Sequence, residues 1–408
     1  MLEQGSRAAL EPTETGTDSS RILSLDVLRG VALFGILLVN MRHFSTPALY
    51  LGLSSGEGAF PLDRLVDGLI LFFAQGKFFP LFSFLFGLGL VLQLQRWQAK
   101  GAPSTRLFLR RLGVLLVIGL LHATLIWAGD ILAKYAVLGL LFLVLLPLPP
   151  RMLLLGSGLL LLAPLLLSGT GLEERLTALA GFPSTTEGLR ALAEQSLAAY
   201  GSGSFVEMTR QRLLDFAFRF VSGSYFSGLF TILGMFCLGA YAGRRDLFLP
   251  PSAGRFRKIL VLGLVGFGLS LAGFVASRAL PLLAAPPLLK TLHLAGNLSM
   301  TACYVAGLVL LLEQTPWRSR LAPLASAGRM ALSNYLLQSL LATAIFYGTG
   351  LYGRLGSAAC LGITVAIFVG QVFLSRYWLS HFRFGPLEWL WRWATYGKRP
   401  EMRRKVTG

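Results

Sequence analysis

The sequence has 408 residues, of which 54% are hydrophobic and only 14% are charged, and its mean hydropathy is +0.65. Soluble domains carry about a quarter charged residues, so this chain has too little polar surface to enclose its apolar residues in water. A net charge of +18 is typical of nucleic-acid-binding proteins, but here the basic residues lie in short segments between apolar runs, which indicates a polytopic membrane protein without a nucleic-acid partner.

Residues 1–20 are polar and lack the basic start of a cleavable signal peptide. We therefore expect a flexible N-terminal tail over 1–22, followed by a first apolar segment that stays as an uncleaved anchor. A membrane-spanning helix needs about 20 mostly apolar residues. By that criterion the sequence predicts ten spanning helices, with boundaries near 24–44, 72–95, 107–127, 131–148, 151–168, 224–243, 257–277, 289–312, 322–346 and 357–379.

Two further segments are predicted to lie at the membrane surface. Gly76-Lys77 and Pro80 interrupt the start of the second span, which predicts a short interfacial helix before the true span. The segment 169–223 lies outside the membrane, and its second part, FVEMTRQRLLDFAFRFVSG, has apolar residues at helical spacing among charged ones. That pattern predicts an amphipathic helix on the membrane surface or capping the bundle.

The distribution of Lys and Arg indicates the orientation. With the N-terminus in the cytoplasm, most of the 37 Lys and Arg fall in cytoplasmic segments. The positive-inside rule therefore predicts both termini in the cytoplasm, for an integral protein of a bacterial inner membrane. The chain then divides into an N-terminal bundle (23–168), the extracytoplasmic segment 169–223, a C-terminal half (224–382) and a basic cytoplasmic tail (383–408) that contacts anionic lipid head groups.

The first span carries several polar side chains. Such groups are costly inside a membrane and are candidate functional residues, although they also join helices by hydrogen bonds. Arg29 and Asn40 are 11 residues apart, about three turns, and project from nearly the same side of a helix. Asp26 precedes Arg29 by one turn and can pair with it. We expect Asp26, Asn40 and, near the outer end, His43 to line a substrate pocket.

The third and fourth spans meet at a short outer turn that contains a histidine and a carboxylate. His122 lies near the end of the third span and Asp130 lies in the turn. Together they can form a general base with its orienting partner, whereas the alternative is an Asp helix cap beside a hydrogen-bonded histidine. Lys134 and Tyr135 follow Asp130 by about one turn, and we expect both in the substrate pocket.

The ninth span places a second arginine, Arg329, in the same half of the membrane as Arg29. Two arginines there can bind the phosphates of a cytosolic donor, because the guanidinium fork matches phosphate oxygens. They can equally anchor helices at the head-group level. We expect Asn334 and, in the last span, Gln371 to help bind that donor, and Gln338 to line the pocket.

Several motifs of known chemistry are absent from the sequence. No P-loop, HExxH or CxxC arrangement occurs. The three cysteines, Cys237, Cys303 and Cys360, lie far apart in apolar stretches, so we expect neither a disulfide framework nor a metal site. Spacing alone thus predicts a helical bundle with buried polar groups and does not indicate a reaction.

Four segments of the chain resemble the YeiB family of membrane proteins, in this order: LDVLRGVALFGILLVN, GLLHATLIWAGDILAKYAVLGLL, GRMALSNYLLQSLLATAIFYGTGL and SRYWLSHFRFGPLEWLWRW. The resemblance extends from about residue 21 to residue 397, and the C-terminal half resembles the domain of unknown function 418. The first half is more distantly similar to the transmembrane acyltransferase superfamily, which includes acyltransferase-three proteins and heparan-alpha-glucosaminide acetyltransferase. The shared feature is LDxxRG, carried here by Leu25, Asp26, Arg29 and Gly30.

The superfamily resemblance implies an enzyme that takes an acyl group from cytosolic acyl-CoA and passes it to an acceptor at or beyond the outer face of the membrane. Acyltransferase-three proteins have a histidine 11 residues after the shared arginine, where this chain has Asn40. The resemblance then implies that His122, oriented by Asp130, activates the acceptor or carries the acyl group, with His43 as the second choice. Arg29 and Arg329 would bind the phosphates of the donor.

Two other functions are compatible with the sequence. One is a transporter or flippase, in which the same polar side chains line the path of a small or lipid-linked substrate. The other is a structural or sensory protein whose segment 169–223 binds a partner. The expected partners are membrane lipids, the acyl donor and an acceptor, and the sequence is also compatible with a homo-oligomer.

Overall fold

A computed structural model of the chain describes residues 16–52, 60–167, 170, 172–183, 185–221, 223–249, 252–279 and 286–404. Within these ranges the regular secondary structure is helical, apart from an isolated bridge between Phe382 and Arg403. Six helical stretches of the described residues are long and apolar enough to span a membrane, and four shorter apolar helices lie at the other predicted spans. The chain is an all-α polytopic membrane protein.

The helix boundaries differ from the expected ones at the N-terminus. The first helix begins at Gly16, so the chain is helical over 16–22, where the sequence predicted a flexible tail; residues 1–15 of that tail lie outside the described residues. In chain order the helices of the described residues are α1 (Gly16–Ser45), α2 (Ala48–Leu51), α3 (Pro61–Phe73), α4 (Phe78–Ala99), α5 (Ser104–Leu125), α6 (Leu132–Leu145), α7 (Pro150–Leu167), α8 (Leu172–Leu179), α9 (Thr186–Ser202), α10 (Phe205–Val221), α11 (Gly223–Arg244), α12 (Ala253–Ala279), α13 (Pro286–Leu312), α14 (Thr315–Arg329), α15 (Ala331–Phe346), α16 (Ser357–His381) and α17 (Pro386–Tyr396).

The predicted interruption before the second span is confirmed. The helix breaks between α3 and α4, where Gly76 has a φ of +79° that a glycine adopts without strain. The span itself begins at Phe78, later than the predicted residue 72. In α3, Asp63 and Val66 are buried, whereas Leu62, Leu65 and Leu69 are exposed. Exposed leucines on this short helix are suited to contact with lipid at the interface.

The prediction of a single ninth span over 322–346 is wrong. The helix is interrupted at Met330, between α14 and α15. The start of α15 is capped by Glu388 of α17: its Oε1 accepts the backbone N–H groups of Leu332 and Ser333 at 2.7 and 3.1 Å, and its Oε2 accepts the Ser333 hydroxyl at 2.5 Å. A carboxylate satisfies the free N–H groups at a helix start and complements the helix dipole there, so this cap stabilises a new helix at Ala331.

Two glycines allow α1 and α14 to cross in close contact. A Cβ at Gly30 would overlap the carbonyl oxygen of Leu324, and a Cβ at Gly328 would overlap the carbonyl oxygen of Asp26. Small residues at such crossings are the usual means by which membrane helices approach closely. Because Arg329 follows Gly328, the crossing brings this arginine next to Asp26.

Within the segment 169–223, α10 packs against α5 and corresponds to the predicted amphipathic helix. Arg212 of α10 donates to the carbonyl oxygen of Thr124 at 3.2 Å and to that of Leu125. These carbonyls belong to the last turn of α5, where helix geometry leaves them without partners. Asp215 of α10 accepts the Tyr50 and Tyr200 hydroxyls at 2.6 and 2.7 Å, which joins α2, α9 and α10.

We predict that Gly328→Ala destabilises the protein by about 1–3 kcal/mol, because the added methyl group overpacks the α1–α14 crossing. Gly362→Ala is the matched control: a Cβ at Gly362 has no atom within 4 Å, so the same change on α16 is expected to be neutral or slightly stabilising. Thermal unfolding of the detergent-purified protein measures both. Equal melting temperatures for the two variants would contradict the close crossing.

Candidate functional site

The α5–α6 hairpin holds His122 and Asp130 in direct contact. His122 Nδ1 lies 2.8 Å from Asp130 Oδ1, and both side chains are completely buried. Asp130 Oδ2 accepts the backbone N–H of Ala133 at 2.7 Å in the first turn of α6. One carboxylate therefore orients the histidine and also caps a helix. The helix cap is therefore present, and beside it lies the His122–Asp130 contact that a general base with its partner requires.

The other ring nitrogen of His122 is available. His122 Nε2 is buried and has no hydrogen-bond partner among the described residues. When Asp130 accepts the Nδ1–H, the Nε2 lone pair is free, which is the arrangement that a general base or nucleophile requires. Buried polar atoms are normally hydrogen-bonded, so this nitrogen is an exception. A ligand or substrate can supply the missing hydrogen-bond partner.

A cavity of about 120 Å³ lies next to this pair. Its wall includes Asn40 of α1 together with Gly129, Ile131 and Tyr335. The Tyr335 ring lies 5.4 Å from the His122 ring, centre to centre, and its hydroxyl accepts the Ile131 N–H at 3.4 Å. Tyr335 therefore stands between His122 and the cavity. Of the predicted pocket residues, the structure places Asn40 on the cavity wall.

The other predicted pocket residues lie elsewhere. Tyr135 is part of the core, where its hydroxyl lies 2.7 Å from the Ser83 hydroxyl. Lys134 and His43 are half-buried at the outer end of the bundle. His43 Nδ1 lies 3.5 Å from a guanidinium nitrogen of Arg219 in α10, and this arginine also lies within electrostatic range of Lys134. The structure thus brings His43 and Lys134 together around Arg219, a residue that the sequence did not single out.

The predicted arginine pair lies at the α1–α14 crossing. Arg29 Nη1 donates to Asp26 Oδ1 at 2.7 Å, and the Arg29 side chain is 30% exposed. Arg329, which is exposed, lies within electrostatic range of the same carboxylate through the α1–α14 crossing. The structure therefore gathers Asp26, Arg29 and Arg329 into one charged cluster that remains partly exposed.

The amides predicted to bind the donor join helices α14, α15 and α16 instead. Asn334 Nδ2 donates to the Ala327 carbonyl at 3.1 Å and to Ser375 Oγ at 2.9 Å. Gln338 Nε2 donates to Gln371 Oε1 at 2.9 Å, and Gln371 Nε2 donates to the Asn334 carbonyl at 2.9 Å. All of these amides are buried. Such interhelical hydrogen bonds favour a packing role for Asn334, Gln338 and Gln371.

Sequence reasoning missed the contacts of Tyr335 and Glu388. Tyr335 directly follows Asn334, but an aromatic residue among many apolar neighbours does not stand out as a candidate site residue. Glu388 lies in the quoted C-terminal motif and is an isolated acidic residue between tryptophans and a proline. That isolation is the signal that could have identified it. Within the described residues no group of His, Cys, Asp and Glu could hold a metal ion.

The chain is similar to known proteins both in its C-terminal region and over nearly its full length. Residues 242–398, which include α12 to α17, match the family model described as "Protein of unknown function (DUF418)". The chain is 36% identical to "Uncharacterized protein YxaH" of Bacillus subtilis (strain 168), over 95% of this chain and 97% of that protein. It is 30% identical to "Uncharacterized protein YeiB" of Escherichia coli (strain K12), over 92% and 96% of the two chains.

The chain belongs to the YeiB family. A third relative, "Uncharacterized 39.9 kDa protein in amylase 3'region" of Bacillus acidopullulyticus, is 30% identical over 93% of this chain and 95% of its own length. In each of these relatives the match covers the α5–α6 hairpin as well as the C-terminal region. The YeiB family resemblance expected from the four sequence segments is confirmed over nearly the full chain.

In this YeiB-family protein, we predict a specific pH dependence of stability from Glu388. Burial raises the pKa of Glu388 above its usual range. The folded state then holds a proton that the unfolded state has lost, so the contribution of Glu388 to stability falls as the pH rises from about 4 to the raised pKa, by at most about 1.4 kcal/mol per pH unit. The melting-temperature difference between wild type and Glu388→Gln should therefore shrink, or become negative, as the pH rises.

Glu207 provides a control of opposite sign. It is exposed at the start of α10, and hydrogen bonds from the Ser204 N–H and hydroxyl lower its pKa. The stability that wild type gains over Glu207→Gln should be lost as the pH falls through that lowered pKa. A Glu388 contribution that grows with pH would show that its carboxylate is held in the charged form, contrary to the burial argument.

Proposed function

We propose that the protein is a membrane acyltransferase that takes an acyl group from cytosolic acyl-CoA and passes it to an acceptor at or beyond the outer face of the membrane. The observation that carries this proposal is the buried His122–Asp130 pair, with Nδ1 bonded to the carboxylate and Nε2 without a partner. A histidine held in this way is suited to accept a proton from an attacking hydroxyl or amine.

The two ends of α1 support a division of labour along the membrane normal. Arg29 lies with Asp26 and Arg329 at the cytoplasmic end, whereas Asn40 lies on the wall of the cavity near His122. Arg29 and Asn40 are 11 residues apart, which is about 16 Å along a helix. Arginines can hold the donor phosphates while the flexible arm of the carrier extends toward the cavity. The charged part of the donor then stays out of the lipid, where its burial would be costly.

The proposed reaction is an acyl transfer. The acceptor hydroxyl or amine loses its proton to His122 Nε2 as its oxygen or nitrogen forms a bond to the thioester carbonyl carbon. The carbon–sulfur bond breaks, and the thiol of the carrier leaves with the proton that His122 returns to it. Asp130 stabilises the imidazolium that forms between these steps and keeps the ring in place. No metal takes part in this scheme.

The remaining assignments belong to the same proposal. An acyl-CoA donor places one substrate in the cytoplasm, and the relatives are bacterial; the location that we propose is the inner membrane of a bacterium. The acceptor approaches from the outer side, where α10 packs against α5. Association of two copies would leave this scheme unchanged, because each chain carries both the arginines and the histidine.

A transporter or flippase is the second candidate, and the break at Met330 favours it. Interrupted helices and buried amides are frequent at the substrate sites of transporters, and here the break lies near Asn334 and Gln338. The observation against this candidate is that both amides are satisfied by neighbouring helices. Flux of a substrate into proteoliposomes in the absence of any acyl donor would favour transport over acyl transfer.

We predict that His122→Ala reduces acyl-CoA-dependent thiol release by about 100-fold or more, since general-base catalysis contributes about 10²–10⁴. Asp130→Asn should reduce it by a similar factor, because an amide cannot stabilise the imidazolium. Purified protein is incubated with a panel of acyl-CoAs and candidate acceptors from the outer leaflet, and free thiol is measured over time.

His381→Ala is the matched control, because His381 is an exposed histidine at the cytoplasmic end of α16. It should retain the wild-type rate. Wild-type turnover in His122→Ala, or no acyl-CoA-dependent turnover in wild type with any acceptor, would refute the proposed function. Retention of the melting temperature in each variant separates a catalytic effect from unfolding.

A further inference from the structure

The cytoplasmic end of the bundle holds two arginines that the proposed reaction does not use. Arg111 lies in α5 and Arg392 lies in α17, and the charges of Arg392 and Arg29 both act on Arg111. α17 fixes the position of Arg111: Trp391 Nε1 donates to the Arg111 carbonyl at 2.8 Å, and the Arg111 guanidinium carbon lies 3.6 Å from the centre of the Trp391 ring. Stacking on an indole orients the guanidinium plane.

The carboxylates close to this cluster are already engaged. Asp26 accepts a hydrogen bond from Arg29, and Glu388 caps the start of α15. The charges of Arg96 and Arg383 also act on Arg392, against the opposite charge of Glu388. Like charges in a partly buried site repel each other more strongly than in water. The three arginines at positions 29, 111 and 392 therefore form a region of positive potential that an anion would stabilise.

A second observation points to a ligand. Arg111 Nε is buried and has no hydrogen-bond partner among the described residues. A buried guanidinium donor is a strong donor, and leaving it without an acceptor is costly. Arg29 Nη2 lies beside Gly89 of α4, where a Cβ would be in ordinary contact with it at 3.6 Å, so a side chain larger than glycine's is not needed to cover this guanidinium. The helices thus bring together guanidinium donors and positive charge.

We infer that Arg111 and Arg392, together with Arg29, form a phosphate-binding site between α1, α5 and α17. The guanidinium fork matches two oxygens of a phosphate group, and more than one arginine can bind the same group. The phosphate belongs either to a soluble nucleotide carrier or to the head group of an anionic phospholipid. The first source rests on the proposed function, because it extends the donor site from Arg29; the phosphate site itself does not depend on acyl transfer.

The full-length protein in nanodiscs tests this inference in two arms. In phosphatidylcholine nanodiscs, the affinity for desulfo-coenzyme A, which has the phosphates but no thiol, is measured by calorimetry. In nanodiscs that also contain phosphatidylglycerol, retained lipid is counted by native mass spectrometry. Arg111→Gln and Arg392→Gln should each weaken binding about tenfold or more in the arm that reports the ligand, since a charge-assisted hydrogen bond is lost.

Two further variants serve as controls. Arg110→Gln removes the same charge from the preceding position of α5, which is exposed. This variant should bind within about twofold of wild type, because screened surface charges contribute little. Arg111→Lys keeps the charge without the planar fork and should have intermediate affinity. Melting temperatures confirm that each variant is folded.

The outcomes distinguish a nucleotide carrier, a lipid head group and the absence of a phosphate site. Binding of desulfo-coenzyme A that depends on Arg111 and Arg392 supports a nucleotide carrier, and dependence in the phosphatidylglycerol arm alone supports a lipid head group. Equal binding by Arg111→Gln, Arg392→Gln and Arg110→Gln in both arms, or no binding by wild type in either, overturns the phosphate site. His122→Ala should bind like wild type and lose acyl transfer, so wild-type acyl transfer by His122→Ala, with binding still dependent on Arg111 and Arg392, would refute the proposed function and leave the phosphate site standing.

Discussion

Inside a membrane a polar side chain has no water to bind, so each buried polar atom must find a partner within the protein or weaken the fold. This constraint explains the geometry around the α5–α6 hairpin. Asp130 gives one oxygen to His122 and the other to the Ala133 N–H, so that a single carboxylate joins the end of α5 to the start of α6. His122 Nε2 is left without a partner, buried behind Tyr335, which lines the cavity. A buried polar atom without a partner is an exception that marks a candidate reactive group.

The same constraint shapes the two ends of the bundle through contacts between distant parts of the chain. Arg212 of α10 satisfies the last carbonyls of α5. Glu388 of α17 satisfies the first N–H groups of α15, and this cap permits the break at Met330. The break in turn allows α14 to cross α1 at Gly30, which sets Arg329 beside Asp26 and Arg29. Charged groups therefore gather around this crossing while the histidine stays in the interior.

The sequence predicts those features that depend on neighbouring residues. Apolar runs indicate the spans, Asp26 and Arg29 pair within one turn, and His122 and Asp130 meet because a short turn connects their helices. The break at Met330 was not predictable, because the carboxylate that caps α15 comes from Glu388, more than 50 residues later.

Hydropathy also cannot tell which way a polar side chain in a span points. Asn334, Gln338 and Gln371 look alike in the sequence whether they contact a ligand or one another, and in the structure they bond with one another and with neighbouring helices. Tyr135 was expected in the pocket on the basis of its distance from Asp130 along the chain, yet its hydroxyl meets Ser83 in the core. Only the packing of whole helices decides these orientations.

The central proposal is that a donor whose phosphates are held at Arg29 reaches His122 in the interior with its acyl end. A cryo-electron microscopy map of the protein bound to a non-hydrolysable acyl-CoA analogue tests it most directly. The account predicts density for the phosphates at Arg29 and density for the acyl end within hydrogen-bond distance of His122 Nε2, with the Tyr335 ring displaced. An analogue bound outside the bundle, with His122 still enclosed behind Tyr335, would contradict it.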